Sequence, residues 1–387
     1  MMNIVVPLAI YPFVIKRLGS EKYGLVLYSQ AIIAYLVLFV NFGFNISGTK
    51  YISKFRDSIK RKSQIVSVIY IIKFAFLILS FTILVILFSL FDSIREEFML
   101  YLLTFHLCFY ETFFPVWFFQ GIEKMKIITF ASFLGKLIYV PLILIVIREP
   151  DDYLYLPLIN GIVTIAVVTY SNIVMYKQES IRLFIVDFRI IKIVFIETID
   201  YFLSNCFVLL KERTNIFVIG TFLSMSDVAL YDFVMKVVNV LRMPFMMFRD
   251  AIFPSFVKKN SMKRYQMVIF VISIIAFLIY LLGVIVFPYI ENIVGGEELV
   301  GASYYYNRLG LFIPFGVFAM YLGTGLILKE KRKEYRKSIT YSVVIYFFGL
   351  LFLYLISGIS NMVYLIYVFL LSLIVELIYR IKVYKWD

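Results

Sequence analysis

The chain has 387 residues, 62% of them apolar, and its mean hydropathy is +0.92. A water-soluble globular chain is about 45–50% apolar, so this composition excludes a soluble domain. Charged residues make up 16% of the chain, the net charge is +13, and the charges are grouped in short intervals between long apolar runs. The sequence therefore predicts a protein that crosses a membrane several times.

Twelve apolar runs follow one another along the chain, and a helix needs about 20 such residues to cross a bilayer. The runs lie near 3–15, 24–47, 65–91, 99–120, 127–147, 153–176, 191–222, 228–257, 266–290, 301–328, 338–357 and 362–382. Because an apolar helix satisfies its own backbone hydrogen bonds in lipid, each run is predicted to be helical. The predicted fold class is an all-α polytopic membrane protein with about 12 transmembrane helices.

The first run differs from the others because it is short. Only about 13 residues separate Met1 from Lys16 and Arg17, too few to cross a hydrocarbon core of about 30 Å. The run also lacks the basic start and the small-residue cleavage site of a signal peptide. We expect a first helix that is truncated at its start, in preference to one that enters the membrane partway.

The loops carry an asymmetric charge that predicts their sides. If the loop after the second run is inside, the inside loops hold most of the lysines and arginines, whereas the outside loops carry acids such as Asp92, Glu149 and Glu291. By the positive-inside rule, both termini are predicted to be cytoplasmic. This asymmetry also explains the net charge, and since no basic segment is longer than a membrane loop, no nucleic-acid partner is expected.

A weak internal repeat at an offset near 203 residues predicts two halves. Leu27 and Tyr28 correspond to Leu230 and Tyr231, and the basic ends of the second and eighth runs then nearly align. Repeated halves with a substrate site at their interface are a common transporter architecture. We expect an N-terminal six-helix bundle over residues 1–190 and a C-terminal six-helix bundle over 191–387.

Fifteen charged residues remain inside the predicted spans after the loop charges are set aside. Each costs about 2.5–3.5 kcal/mol at the bilayer centre, so most must face a hydrated cavity or lie near the interface. Lys73, Glu197 and Glu376 are close enough to the ends of runs to reach the interface, and we expect them to do so.

The eighth run concentrates these charges at helical spacings. Asp232 and Lys236 are four residues apart and can pair, whereas Arg242 and Arg249 have Asp250 as their only acidic neighbour at a comparable spacing. The residues either form ion pairs between helices or make a cationic cavity wall, because the planar arginine fork binds phosphate in a bidentate manner. Arg242 and Arg249 are two turns apart, about 10 Å along the helix, and could converge on one anion. The predicted binding residues are Lys211, Arg213, Lys236, Arg242, Arg249 and Arg308.

Side chains for a metal centre or for enzyme chemistry are scarce. Cys108 and Cys206 both lie inside apolar runs and His106 is the single histidine, which excludes a disulfide framework and a multi-histidine metal site. Asp151 and Asp152 have no third ligand nearby and are expected to be solvated in a loop. The sequence has no Walker lysine, nucleophile elbow or glycine-rich dinucleotide loop. We therefore expect no catalytic residue, no metal, no cofactor and no enzyme activity.

Two segments resemble motifs of the Wzx-type polysaccharide flippases. The first, within residues 16–53, matches at Arg17, Leu18, Gly19, Tyr23, Gly24, Gln30, Asn41, Phe42, Gly43, Phe44 and Asn45. The second, within residues 115–126, matches at Pro115, Trp117, Phe119, Gln120, Gly121, Glu123, Lys124 and Met125. The similarity of layout, with two halves and basic inside loops, extends over nearly the whole chain.

The resemblance implies a V-shaped pair of six-helix bundles that works by alternating access, like other members of the multidrug, oligosaccharidyl-lipid and polysaccharide exporter superfamily. It implies an undecaprenyl-pyrophosphate-linked oligosaccharide as substrate, moved to the outer leaflet of the bacterial plasma membrane for O-antigen, capsule or exopolysaccharide synthesis. Membrane lipids, a polysaccharide polymerase and a chain-length regulator are the partners it implies. Glu111, Asp200 and Asp232 are candidates for coupling to a proton or sodium gradient, and the sequence selects none of them.

Two other functions remain as alternatives. A cation-coupled multidrug-type antiporter would favour an acidic cavity, which the surplus of intramembrane lysine and arginine disfavours. A membrane polysaccharide polymerase or glycosyltransferase usually needs a large extramembrane loop, and every interval between runs here is under 20 residues.

Overall fold

The structure is a computed structural model that describes residues 2–259 and 262–384, and every regular element in those ranges is helical. The first half contains α1 (Met2–Asn41), α2 (Phe44–Lys54), α3 (Ile59–Leu90), α4 (Asp92–Glu96), α5 (Phe98–Thr104), α6 (His106–Phe113), α7 (Val116–Gly121), α8 (Met125–Val146) and α9 (Tyr155–Gln178). The second half contains α10 (Phe188–Phe222), α11 (Met225–Lys259), α12 (Met262–Val294), α13 (Ala302–Leu309), α14 (Phe312–Leu328), α15 (Arg332–Ser357) and α16 (Met362–Tyr384). The predicted all-α class is confirmed.

Nine stretches of the described residues are long and apolar enough to cross a membrane. They are 8–54, 59–90, 98–121, 125–146, 150–178, 262–294, 302–328, 332–356 and 362–384. The outer face of α12 exposes Phe270, Leu282 and Ile285, a surface that lipid solvates and water does not. The chain is a multi-pass membrane protein, and the count of twelve spans stays a prediction.

Several predicted spans are broken helices. The first two runs join in α1, which bends at Gly19, where φ is 77°. The second run is interrupted at Phe42 and Gly43, both with positive φ, before α2 begins. The fourth run is divided into α5, α6 and α7, and the last break falls at Pro115, which has no N–H to continue the helix.

Contacts divide the chain into two units, one made of Met1–Leu25 with Asn215–Asp387 and the other of Val26–Thr214. The predicted boundary after residue 190 stays a prediction. The start of α1 belongs with α11, since the Tyr11 hydroxyl donates to the carbonyl of Ala229 at 2.8 Å. Most of α10 belongs with the other unit, where Thr214 lies 3.1 Å from the Tyr35 hydroxyl. The two six-helix bundles stay a prediction.

Within each unit, loops that the charge asymmetry assigns to the same side contact one another. These contacts join Ser20 to Glu298 and Tyr153 to Glu97 among the outside loops, and Lys124 to Glu179 and Lys331 to Val383 among the inside loops. Helices that cross a bilayer must place alternate loops on opposite faces, so this pairing agrees with the predicted order of the loops.

Candidate functional site

Lys236 is the first basic side chain of α11, and it lies among aromatic rings. Its ammonium bonds to the carboxylate of Asp232, one turn earlier, and to the Tyr23 hydroxyl at 3.1 Å. It also lies 4.8 Å from the centre of the Tyr11 ring, close enough for a cation–π interaction. The predicted pairing of Asp232 with Lys236 is thus present, and α1 supplies the rest of the surroundings.

The close approach of α1 to α11 explains two residues of the first matched motif. A Cβ atom at Gly24 would overlap the carbonyl oxygen of Met225 at the start of α11. Only glycine lets the two backbones come this near. Tyr23, the preceding residue, then reaches Lys236 and packs edge-on against Tyr11, with the two ring centres 5.2 Å apart.

Arg242 lies two turns beyond Lys236 on α11 and is stacked on an aromatic ring. The carbon of its guanidinium is 3.9 Å from the centre of the Phe312 ring on α14. Gly316, one turn further along α14, leaves room for the flat group, because a Cβ atom there would lie 3.2 Å from the guanidinium nitrogen Nη2. Stacking of this kind suits the delocalised guanidinium and would not suit lysine.

Arg249, the other arginine of α11, forms an ion pair with its neighbour. Its Nε and Nη2 donate to one carboxylate oxygen of Asp250 at 2.9 and 2.6 Å. The Arg249 side chain is 28% exposed and that of Asp250 is 66% exposed. The pair is therefore partly exposed.

The remaining predicted binding residues are distributed over both units. Arg308 on α13 lies over the Tyr304 ring at 3.6 Å and donates to the Tyr367 hydroxyl of α16 at 3.3 Å. Lys211 is half-buried and Arg213 is exposed on α10, within the unit formed by Val26–Thr214. Lys236, Arg242, Arg249 and Arg308 belong to the other unit.

Glu111, a candidate for ion coupling, forms an ion pair with Lys73, a lysine expected to lie at the membrane interface. Lys73 on α3 is fully buried, and its ammonium lies 3.0 Å from the Glu111 carboxylate. The side-chain amide of Asn41 donates to the same carboxylate oxygen at 2.8 Å. The expectation that Lys73 reaches the membrane interface is wrong. Of the other two candidates, Asp232 is paired with Lys236 and Asp200 is exposed on α10.

Lys73 also closes the helix break at Pro115. In a continuous helix, the N–H of residue 115 would bond to the carbonyl of Glu111, and proline cannot supply it. The Lys73 ammonium donates to that carbonyl at 2.7 Å. The carbonyl of Phe113, also left open at the end of α6, receives the side-chain amide of Asn172 at 2.8 Å. Side chains from α3 and α9 thus replace the missing backbone donors.

The two matched motifs pack against each other where α2 meets α7. The Thr49 hydroxyl lies 2.8 Å from the carbonyl of Asn45 in the first motif and 3.3 Å from that of Trp117 in the second. Trp117 is fully buried, and a Cβ atom at Gly121 would lie 2.6 Å from Ile52. These motif residues therefore build the packing of two short helices.

Other motif residues have separate roles. Asn41 uses its side-chain oxygen to accept from the backbone N–H of Gly43 at 3.1 Å, which supports the turn between α1 and α2. Gln30 is half-buried, Gln120 is exposed, and Arg17 is exposed with its guanidinium 5.8 Å from the Phe13 ring centre.

Arg380, near the end of the last apolar run, is a further buried charge that is not among the predicted binding residues. It is 3% exposed, and it bonds to Glu376, Ser338 and the carbonyl of Ala319 at 2.6, 2.9 and 2.6 Å. The four-residue spacing of Glu376 and Arg380 is the signal that could have found this pair, whereas the bonds to α14 and α15 have no local signature.

A family model described as polysaccharide biosynthesis protein matches residues 1–260. The chain belongs to this family. A protein of Escherichia coli K12 named as an O-antigen transporter is 28% identical over 186 residues, which are 44% of this chain and 43% of that relative. A Shigella dysenteriae protein of the same name is 25% identical over 84% of this chain and 72% of its own length. The chain thus spans less than half of the first relative.

Solved structures of multidrug transporters share the fold. An inward-facing MATE family transporter of the MOP superfamily has a TM-score of 0.75 at 11% identity, covering 97% of this chain and 94% of its own. MATE in complex with MaD3S has a TM-score of 0.59 at 14% identity, covering 99% and 93%. The family match and the named relatives confirm the resemblance to the Wzx-type polysaccharide flippases. The relatives are named as transporters, in agreement with the prediction that the chain is not an enzyme.

Proposed function

We propose that this protein moves an undecaprenyl-pyrophosphate-linked oligosaccharide from the cytoplasmic to the outer leaflet of the bacterial plasma membrane, for O-antigen, capsule or exopolysaccharide synthesis. Membership of the polysaccharide biosynthesis family supports the class of cargo. The observation that carries the proposal is α11, a helix among membrane spans that presents Lys236, Arg242 and Arg249 at intervals of about two turns. The pyrophosphate of such a cargo is anionic, and lysine and arginine side chains within the membrane would bind it.

Two arginines of α11 would bind an anion in different ways. Arg242 is held flat by Phe312, so its guanidinium is preorganised and loses little freedom when an anion arrives. Arg249 is bound to an exposed Asp250, and a pyrophosphate would compete with that carboxylate for the arginine fork. Lys211, Arg213 and Arg308 complete the proposed set of binding residues.

The orientation in the membrane follows from the loop charges. With the lysine- and arginine-rich loops in the cytoplasm, both termini are cytoplasmic. The contacts between loops of the same predicted side support this alternation. The cargo would be taken up from the side of the basic loops, where its synthesis ends, and would be delivered to the polymerase and chain-length regulator outside.

Coupling to a proton or sodium gradient through Glu111, Asp200 or Asp232 is part of the proposal. Glu111 and Asp232 each have a lysine of the chain beside the carboxylate, in the place that an external cation would take. A coupling ion at either residue would therefore have to displace that ammonium.

Export of surface polysaccharide tests the proposed role of α11. In cells that depend on this chain, Arg242→Ala and Arg249→Ala should each abolish or strongly reduce export at normal protein levels in the membrane. Arg242→Lys should retain part of it, because charge remains and the planar fork is lost. Lys263→Ala, which removes an exposed cation near the start of α12, is the matched control and should export normally.

Two results would oppose the proposal. Full export by Arg242→Ala at normal protein levels would exclude anion binding by that residue. If Arg249 serves only as the partner of Asp250, the double change Arg249→Ala with Asp250→Ala should restore the export that Arg249→Ala alone removes.

A further inference from the structure

The segment that joins α9 to α10, residues 179–187, exposes an apolar surface. We call residues 179–187 the linker. Leu183 and Phe184 are 52% and 42% exposed, and Ile185 is 98% exposed. Phe188, the first residue of α10, is 74% exposed. Three consecutive exposed apolar side chains, followed by a fourth beyond buried Val186 and Asp187, are unfavourable in water.

The linker is fixed against the rest of its unit. The backbone N–H groups of Arg182 and Phe184 donate to the hydroxyls of Ser63 and Ser67 on α3, each at 3.1 Å. Ile181 and Val186, at 3% and 7% exposure, are buried in the core of the unit. The apolar side chains between them are therefore held outward by the fold.

The contacts with α3 place the linker at the depth of the membrane surface. Ser63 and Ser67 lie one turn apart on α3, and the exposed cations Lys60 and Arg61 lie within the turn before Ser63. The long apolar run of α3 begins in the same turn. A segment bonded at this level lies where the polar head groups meet the hydrocarbon of the bilayer.

Most of the charges next to the apolar side chains are cationic, and the exposed acid among them, Asp187, accepts from the backbone N–H of Arg189 at 2.8 Å. Arg182, Arg189 and Lys192 are exposed on the linker and on the first turns of α10. Apolar side chains flanked by lysine and arginine form the pattern by which amphipathic segments bind anionic membrane surfaces. The same surface continues along α10 through Ile193 and Ile196, 56% and 54% exposed.

We propose that the linker is an anchor in the leaflet on the side of the basic loops. Leu183, Phe184, Ile185 and Phe188 insert between the acyl chains, and Arg182, Arg189 and Lys192 bind the head groups of anionic phospholipids. The occupant of this surface is lipid and not a second copy or another protein, because the apolar patch is continuous with the lipid-facing side of α10 and lies at interfacial depth. Anionic lipid thereby fixes the start of α10 at the membrane surface.

A fluorescent probe at position 185 tests the anchor. Ile185→Cys is labelled with an environment-sensitive dye in a full-length chain in which Cys108 and Cys206 are replaced by alanine. The protein is placed singly in nanodiscs of phosphatidylcholine, with or without phosphatidylglycerol. We expect quenching by bromine-labelled acyl chains, and several-fold weaker quenching by aqueous acrylamide than for a dye at Lys333→Cys, an exposed position of α15.

The lipid charge provides the second measurement. Phosphatidylglycerol should further reduce the quenching of the dye by acrylamide. The triple change Arg182→Gln, Arg189→Gln and Lys192→Gln should remove this effect of phosphatidylglycerol. Equal access of acrylamide to positions 185 and 333 in both kinds of nanodisc would overturn the anchor. Protection that arises only when two copies share a nanodisc would assign the surface to a second copy and would also overturn it. Since no cargo is needed, such a failure would leave the proposed transport untouched.

Discussion

Two buried lysine–carboxylate pairs, one in each unit, neutralise charge in different ways. Asp232 and Lys236 are four residues apart on one helix, and their side chains are 14% and 22% exposed. Lys73 and Glu111 are 38 residues apart, on α3 and α6, and their side chains are 0% and 17% exposed. Both charges of the first pair lie on α11, where Lys236 also bonds to Tyr23 of α1. The charges of the second pair lie on different helices and, with Asn41, tie three helices together. A local pair can be removed from its helix at modest cost, and a pair between helices cannot.

The largest expected effect comes from removing the cation of the pair between helices. Lys73→Met leaves the Glu111 carboxylate without its cation and the Glu111 carbonyl without its donor. Breaking a buried ion pair from one side costs about 3–5 kcal/mol, so we expect a marked fall in the Tm of the purified protein in detergent. An unchanged Tm would show that the contact does not hold the helices together.

The control for that change is a double variant. Lys73→Met with Glu111→Gln removes both charges and should recover part of the lost Tm, although the carbonyl at the Pro115 break stays without its donor. Recovery to the level of the unchanged chain would mean that the ion pair matters and the capping of the break does not.

A smaller effect is expected where α1 meets α11 beside the local pair. Gly24→Ala places a methyl group on the carbonyl oxygen of Met225 and forces the helices apart. Overpacking of this kind costs about 1–3 kcal/mol. Gly161→Ala on α9 is the matched control, because its Cβ atom would lie no nearer than 3.5 Å to its neighbours. Equal Tm values for the two variants would contradict the close approach of α1 and α11.

The smallest effect is expected for the local pair itself. Lys236→Met leaves Asp232 unpaired but partly open to solvent, so its cost should lie between that of a surface pair and that of a buried one, about 1–2 kcal/mol. The measurement is again the Tm in detergent. A fall in Tm as large as that caused by Lys73→Met would show that the pair within α11 stabilises the protein as much as the pair between helices.

The sequence predicted what depends on neighbours along the chain. The apolar runs define the helices, and the spacing of Asp232 and Lys236 predicts their ion pair. Lys73 was misplaced because the groups that hold its ammonium are distant in the sequence: the Glu111 carboxylate at 3.0 Å and the Glu111 carbonyl, left open by Pro115, at 2.7 Å. These contacts keep the side chain fully buried inside the protein.

The features that depend on packing between distant segments could not be predicted. The rings of Tyr11 and Phe312 meet Lys236 and Arg242 only after α1 and α14 pack on α11. The motif glycines signal a close approach or an unusual turn, yet the partner of each, such as Met225 for Gly24, comes from the three-dimensional contact alone. The resemblance to flippases identified these positions without giving their physical roles.

The break at Pro115 differs from an ordinary proline bend in the origin of its hydrogen-bond donor. The amide that proline lacks is replaced by an ammonium that sits at the end of a four-carbon chain on another helix. An amide is rigid and belongs to its own helix, whereas this donor moves with α3. Sliding of α3 along its axis would lengthen this hydrogen bond and leave the Glu111 carbonyl without its donor. The hydrogen bonding of the bend therefore depends on the position of a neighbouring helix.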